Sequence, residues 1–166
     1  LRGRGFAVTV YDRYDRAGGL LIYGIPNFKL EKDVVVRRTQ RLAASGIVFQ
    51  TGVYKVRPLD VPGAQRDGVV PAMRYLTASN RKGLGDQVPE FDAGALDARG
   101  KRVVVVGGGD TAMDCVRTAI RQGAASVVCL YRRDRANMPG SMREVANAEE
   151  EGVRFEYLAA PKAILG

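Results

Sequence analysis

The clearest hydrophobic pattern in the chain begins at residue 103. Residues 103–106, VVVV, are a β-branched run suited to a strand buried on both faces of a parallel sheet. After a glycine-rich turn, Ala112, Met113, Val116, Ala119 and Ile120 recur at helical spacing and form one apolar stripe. Asp114, Arg117 and Arg121 fall opposite it, so an amphipathic helix is predicted, ending at Gly123. Residues 127–131, VVCLY, read as a second strand. A second helix opens after Pro139 with the capping box of Ser141 and Glu144, carries Met142, Val145 and Ala146 on its apolar face, and stops at Gly152. Residues 101–159 thus predict strand, turn, helix, strand, loop, helix, strand. Glu149 to Glu151 sit at the carboxyl end of that second helix, where the helix dipole disfavours acids, and nothing local explains them.

The amino-terminal third has a weaker version of the same rhythm. Residues 6–11 read as a strand ending at Asp12, Gly18 and Gly19 mark a turn or close backbone approach, and Ile25-Pro26 breaks the chain. Residues 30–45 read as a helix stopped by Gly46, and residues 46–49 as another short strand. Residues 58–99 are rich in Gly, Pro and Asp, with one short helix near residues 70–79, and read as a linker whose GLGDQVPEF stretch is a solvated connector. An α/β protein follows from this alternation.

Candidate chemistry sits on the turn after the first valine strand. Gly107, Gly109 and Ala112 fit the G-x-G-x-x-G/A pattern of dinucleotide-binding turns. Gly107 would permit the tight turn, Gly109 would let a pyrophosphate approach the backbone, and Ala112 would let the helix pack closely. N–H groups from Asp110 through Thr111 to Ala112 would face the anion. The bland alternative is a plain strand–helix junction, and the flanking strand and helix weigh against it. At the end of the second strand, where NAD enzymes place an acid, this chain has Arg132 and Arg133. A guanidinium fork binds a 2′-phosphate that an acid would repel, so the pair points to NADPH. The alternative for the pair is a solvated strand end, and for Asp12 an ordinary turn acid rather than a ribose ligand.

Composition narrows the field further. The chain has 166 residues, enough for one domain or two small ones. Its two cysteines form no CxxC and there is no histidine, so neither a zinc nor an iron–sulfur ligand set is visible. No apolar run is long enough to span a bilayer and no secretory signal precedes the first element, which fits a cytoplasmic setting. The net charge of +8 raises nucleic acid as a partner, but its basic residues are interspersed with acids and lack interleaved stacking aromatics.

Longer blocks carry a family resemblance. VTVYDRYDRAGGLLIYGIPNFKLEKDVV, TGVYKVRPLDVPG, YLTASNRKGLGD, VVVVGGGDTAMDCVRTAIRQGA and YRRDRANMPGSMREVANAEEEGV together resemble the small-chain (β-subunit) family of NADPH-dependent glutamate synthase, across nearly the whole chain and in family order. The flavin module of dihydropyrimidine dehydrogenase shares the architecture but less of this wording. The resemblance implies a Rossmann-like NADP-binding domain and a truncated Rossmann-like FAD-binding domain, with reducing equivalents passing from NADPH to FAD, then through iron–sulfur clusters to a large (α) subunit that forms glutamate. It places Asp12 on the FAD ribose, Gly18, Gly19 and Leu20 along the flavin nucleotide, and Thr51 and Gly52 at a turn near FAD. Gly107, Gly109, Asp110, Thr111 and Ala112 match the NADPH turn, and Arg132 and Arg133 its 2′-phosphate clamp. No protein acid or base is needed for the hydride step.

The chain also departs from that family. The FAD glycine turn and the cluster-binding cysteines are expected to be missing, since LRGRG follows no strand and is expected to be a helix end with its cap. At Gln50-Thr51 a connecting segment of roughly 25–30 residues is expected to be deleted, where a βαβ crossover needs about a dozen or more. One continuous strand over residues 47–56 is the alternative there. The expected organisation is therefore residues 1–60 as a partial FAD-binding domain, 61–100 as a linker and 101–166 as an NADPH-binding domain truncated at its carboxyl end. Two functions remain open: the NADPH-to-FAD oxidoreductase subunit, or a non-catalytic NADP-binding remnant without a competent FAD site.

Overall fold

The computed structural model describes residues 1–12, 14–51 and 59–165. It divides into two compact units, Leu1–Arg57 and Pro58–Gly166.

In the first unit, a 3-10 turn at Arg2–Arg4 is closed by Gly5, which takes a left-handed φ of 88° and returns its N–H to the Arg2 carbonyl. That is the cap expected of LRGRG. Strand β1 (Val8–Asp12) and strand β2 (Ile47–Thr51) pair in parallel, with Asp12 opposite Thr51. A short helix α1 (Gly19–Tyr23) and the longer α2 (Lys32–Ala44) lie between them in sequence. The turn expected at Gly18-Gly19 therefore opens directly into a helix. Lys32 is buried because its ammonium donates to the carbonyls of Leu21, at 3.0 Å, and Ile25. Those bonds replace the water a buried charge would otherwise need.

In the second unit, β3 (Arg102–Val106), β4 (Ser126–Tyr131) and β5 (Arg154–Tyr157) form a parallel sheet in the order β3-β4-β5. Helix α5 (Asp110–Arg121) connects β3 to β4, and α6 (Met142–Glu150) connects β4 to β5. Their buried side chains, Met113, Val116, Ala119, Val145 and Ala148, pack with Val103, Val105, Val127 and Cys129 on one face of the sheet. The sequence pattern predicts β3 buried on both faces. Instead Val104 is 59% and Val106 47% exposed, because the core lies on the other side.

Residues 61–100, expected to be a linker, contain α3 (Ala72–Gly83) and α4 (Pro89–Asp92) and belong to this second unit. Leu76 and Ala78 of α3 are buried. Gln122 ties the segment to the end of α5: its Oε1 accepts from the Tyr75 hydroxyl at 2.8 Å and the Ala98 N–H at 2.9 Å, and its Nε2 donates to Ser79 at 3.0 Å. The packing of α3 and α6 around α5 corrects a second expectation. Asp114 and Arg117, assigned by periodicity to a polar outer face, are 8% and 7% exposed.

Both cysteines are core residues. Burial, with the charges of Asp114 and Cys129, pushes the Cys115 thiol up to about 12, and burial alone pushes Cys129 up to about 11. A thiol held protonated and enclosed is inert. Neither is therefore expected to react with a disulfide reagent such as DTNB at about pH 8 in the native protein, and both are expected to react after unfolding in guanidinium. Fast labelling of the native protein contradicts this placement.

Candidate functional site

All three strands of the second sheet end on the same edge, at Val106, Tyr131 and Tyr157. In open parallel sheets, ligands bind outside this carboxyl edge. The glycine turn leaves from β3 there. Gly107 takes a φ of 148°, which an L side chain rarely adopts, while its N–H continues the ladder to the Leu130 carbonyl at 3.0 Å. A Cβ on Gly107 would stand 3.4 Å from the Ala112 Cβ, so the two positions are in direct contact. Gly109 is the N-cap of α5 in extended conformation, with no side-chain capping bond. Its carbonyl accepts from Ala112 and Met113. Among the described residues, no group accepts from the N–H groups of Asp110 and Thr111. They are open donors at the positive end of a twelve-residue helix, the arrangement that binds a phosphate group.

Arg132 and Arg133 follow β4 on the same edge, and both are exposed. Neither guanidinium has a hydrogen-bond or ion-pair partner among the described residues. The nearby charges are already engaged elsewhere. Asp134 caps the next 3-10 turn by accepting from Asn137, at 2.9 Å from its N–H. Arg135 pairs with Glu149 at 2.7 Å. Two arginines therefore remain free to meet an outside anion, and the third of the YRRDR run does not. The residues present fit a phosphorylated dinucleotide: open amides for a pyrophosphate and an unpaired fork for a further phosphate.

The site includes three residues that the motif does not single out. Gly108 is buried on the Tyr131 ring, and a Cβ there would come within 2.5–2.9 Å of ring atoms. Tyr131 in turn donates its hydroxyl to the Asn137 carbonyl at 2.7 Å. Gly140 donates its N–H to the Gly108 carbonyl at 2.9 Å and lies against the backbone of Gly109 and Asp110. The second glycine of GGGD and the Pro-Gly of MPGS mark Gly108 and Gly140 in the sequence.

The predicted capping box of α6 does not form. The Ser141 hydroxyl makes no capping bond. The Ser141 N–H goes instead to the Asp110 carboxylate at 2.8 Å, and Glu144 pairs with Arg117 at 2.6 Å. A buried arginine on the neighbouring helix attracts Glu144 more strongly than an exposed amide does.

In the first unit, Asp12 ends β1, and its carboxylate accepts from the N–H of Gly19 at 2.9 Å and of Tyr14 at 3.2 Å. Gly18 has a φ of 129°, and a Cβ there would come within 2.9 Å of Val35. Leu20 is 52% exposed. Thr51 is exposed and donates to the Asp15 carbonyl at 3.3 Å. Asp12, Gly18, Gly19, Leu20 and Thr51 are thus gathered at one strand edge and the loop beside it, and Gly52 lies outside the described residues. Two lone pairs of Asp12 serve its own loop and leave the others available to a hydroxyl. That fits the ribose end of a second dinucleotide. Gly3 and Gly5 precede β1, so they form no turn out of it.

Among the described residues, no helix is long and apolar enough to cross a membrane. Nor is there a cluster of three or more His, Cys, Asp or Glu side chains suited to a metal ion.

The parallel βαβ units and the nucleotide-type turn define a Rossmann-like fold, and the chain belongs to the pyridine nucleotide-disulphide oxidoreductase family, which it matches over residues 15–166. Within that family it is 61% identical to a protein provisionally named glutamate synthase (NADPH) small chain from Cereibacter sphaeroides, over 99% of this chain and 45% of that protein. It is 55% identical to the glutamate synthase (NADPH) small chain of Azospirillum brasilense, over all of this chain and 39% of the relative. The Escherichia coli K12 small chain is 42% identical, over 99% of this chain and 40% of its own length. The chain therefore spans less than half the length of these relatives. The Azospirillum alignment runs over 190 positions although the chain has 166 residues, so the relative also holds residues inside the matched stretch with no counterpart here. Among solved structures, FprA from Mycobacterium tuberculosis in complex with NADPH has the same fold, with a TM-score of 0.71 at 15% identity over 96% of this chain and 54% of that one. Bacillithiol disulfide reductase from Bacillus cereus follows at 0.62 and 14%, over 99% of this chain and 64% of its own.

Proposed function

We propose that this chain is the NADPH-binding and part of the FAD-binding portion of a glutamate synthase small chain. In this reading it takes a hydride from NADPH, passes the reducing equivalents to FAD, and supplies them to a large subunit that forms glutamate. The observation that carries the reading is the pair of unpartnered guanidinia, Arg132 and Arg133, beside the open amides that follow Gly109. The NADPH-specific names of the relatives support the same choice of coenzyme. Gly107, Gly109, Asp110, Thr111 and Ala112 would hold the pyrophosphate through backbone and close packing, and the two arginines the 2′-phosphate. Asp12, Gly18, Gly19, Leu20, Thr51 and Gly52 would lie along FAD, with residues 1–60 and 101–166 as the two cofactor regions. FAD, when bound, accepts the hydride; the protein's part is to position both cofactors and exclude water. A cytoplasmic location accords with this role.

Thermal melting and absorbance of the purified chain test the proposal. NADPH at millimolar concentration is expected to raise the melting temperature more than NADH does, as ligand linkage requires. Added FAD is expected to be retained on gel filtration, with its visible absorbance bleached by NADPH. Equal responses to NADPH and NADH overturn the coenzyme assignment, and loss of all flavin overturns the FAD half.

A further inference from the structure

Asp110 occupies the first position of α5, where sequence reasoning treats it as one more contact of the nucleotide turn. Its carboxylate is turned elsewhere. It accepts the Ser141 N–H at 2.8 Å, at the start of α6 and 31 residues further along the chain. Two further contacts join the same two segments: Gly140 N–H to the Gly108 carbonyl at 2.9 Å, and the Tyr131 hydroxyl to the Asn137 carbonyl at 2.7 Å, with the Tyr131 ring directly under Gly108. The fit leaves no slack, since a Cβ on Gly140 would stand 3.0 Å from the Gly108 oxygen and 3.4 Å from the Asp110 nitrogen. Pro139 reaches to 4.0 Å from the Cβ position of Gly109. Residues 137–141 thus back the glycine turn along Gly108, Gly109 and Asp110. The Asp110 and Thr111 amides remain open.

We propose that Asp110 is a positioning residue: its carboxylate latches residues 137–141 to the glycine turn and so holds the Asp110 and Thr111 amides in the geometry that receives a dinucleotide pyrophosphate. The inference rests on the coenzyme reading above and adds a residue role to it. A preformed turn avoids the ordering cost that a loose one would incur on binding. The carboxylate also sits beside an anion site, where its negative charge opposes binding. A direct role through charge is therefore unfavourable, and a role as hydrogen-bond acceptor remains. Asparagine offers the same acceptor without the charge. The pyrophosphate is common to NADPH and NADH, so the latch acts equally on both, whereas the arginine pair acts on one.

The test measures dissociation constants for NADPH and NADH with the wild-type chain and with Asp110→Ala, Asp110→Asn and Gly140→Ala, alongside far-ultraviolet circular dichroism. Asp110→Ala is expected to weaken both coenzymes about tenfold, the scale of one charge-assisted hydrogen bond, with their ratio unchanged. Asp110→Asn is expected to recover most of that loss, which general destabilisation would not predict. Gly140→Ala, which wedges the same contact from the other side, is expected to reproduce the equal loss and decides the matter where Asp110→Ala does not fold. Wild-type affinity in Asp110→Ala, tighter binding in it, or an Asp110→Asn variant as weak as Asp110→Ala overturns the latch while the wild-type preference for NADPH still stands. A wild-type chain that binds neither coenzyme overturns the reading and the latch together.

Discussion

Replacing Arg132 and Arg133 together with Ala is expected to weaken NADPH binding tenfold to several hundredfold and to leave NADH within about twofold. The range follows from about 1.5–3 kcal/mol for a hydrogen bond to each of the two charged groups, summed and then reduced by exposure, at about 1.4 kcal/mol per decade of affinity. The structure makes the comparison clean. Both guanidinia lack a partner among the described residues, so their removal breaks no internal ion pair. Asp134 is engaged with Asn137, and Arg135 with Glu149. The melting temperature of the unliganded variant is therefore expected to stay near that of the parent. The NADPH advantage of the parent should also shrink with added salt, because exposed charge pairs are screened. Isothermal titration of both coenzymes against parent and variant decides it. Equal losses for the two coenzymes would mean that the pair is a solvated strand end.

The order of elements between β3 and β5 was legible in the sequence because its signals are local. A β-branched run, a glycine turn, a helical stripe ended by Gly123 and a second strand each leave a mark within a few residues. The proposed coenzyme preference rests on an equally local signal, since Arg132 and Arg133 follow the glycine turn by one helix and one strand. Contacts between distant segments were not. Nothing near Asp114 or Arg117 says that α3 and α6 will enclose α5, so periodicity placed both on a polar outer face. The capping box at Ser141 is a sound local rule that a tertiary contact overrides: Arg117 takes Glu144, and Asp110 takes the Ser141 amide. Residues 61–100 looked like a connector because Gly, Pro and Asp dominate them. Yet Leu76, Ala78, Val88 and Leu96 are buried, spaced too irregularly along the chain to read as one face. The second glycine of the turn leaves no mark in the motif, which leaves its position unspecified, whereas the Tyr131 ring leaves it no room for a side chain.

The acids at the carboxyl end of α6 find their explanation in Arg117, and its replacement by Ala is expected to be the most destabilising of these changes. Arg117 is 7% exposed and donates to Glu144 at 2.6 Å and to Glu151 at 2.6 and 3.0 Å; Arg121 adds a bond to Glu151 at 2.7 Å. The unfavourable meeting of Glu149 and Glu151 with the helix dipole is thus offset by arginines, Arg135 on the first and Arg117 with Arg121 on the second. Removing the shared guanidinium takes the Arg117 bonds from two partly buried carboxylates at once, and Glu151 keeps Arg121. Breaking a buried pair from one side costs about 3–5 kcal/mol, and the residual wetting of the two acids places this case toward the lower figure. Denaturant unfolding of Arg117→Ala should show that loss, and adding Glu144→Gln and Glu151→Gln should recover part of it by removing the carboxylate charge that Arg117 had balanced. The same cluster sets an acid limit. Burial works to raise the Glu151 carboxyl, but hydrogen bonds from Arg117 and Arg121 outweigh it and hold the group below its ordinary 4.5. A carboxyl lowered by folding stabilises the native state above its unfolded value, and that contribution disappears as pH falls through the lower folded value. Parent stability is therefore expected to decline below about pH 4.5, and the decline should be shallower in the triple variant, which has no such carboxylates left to protonate. An identical acid profile in parent and triple variant would show that the cluster contributes no pH-dependent stability.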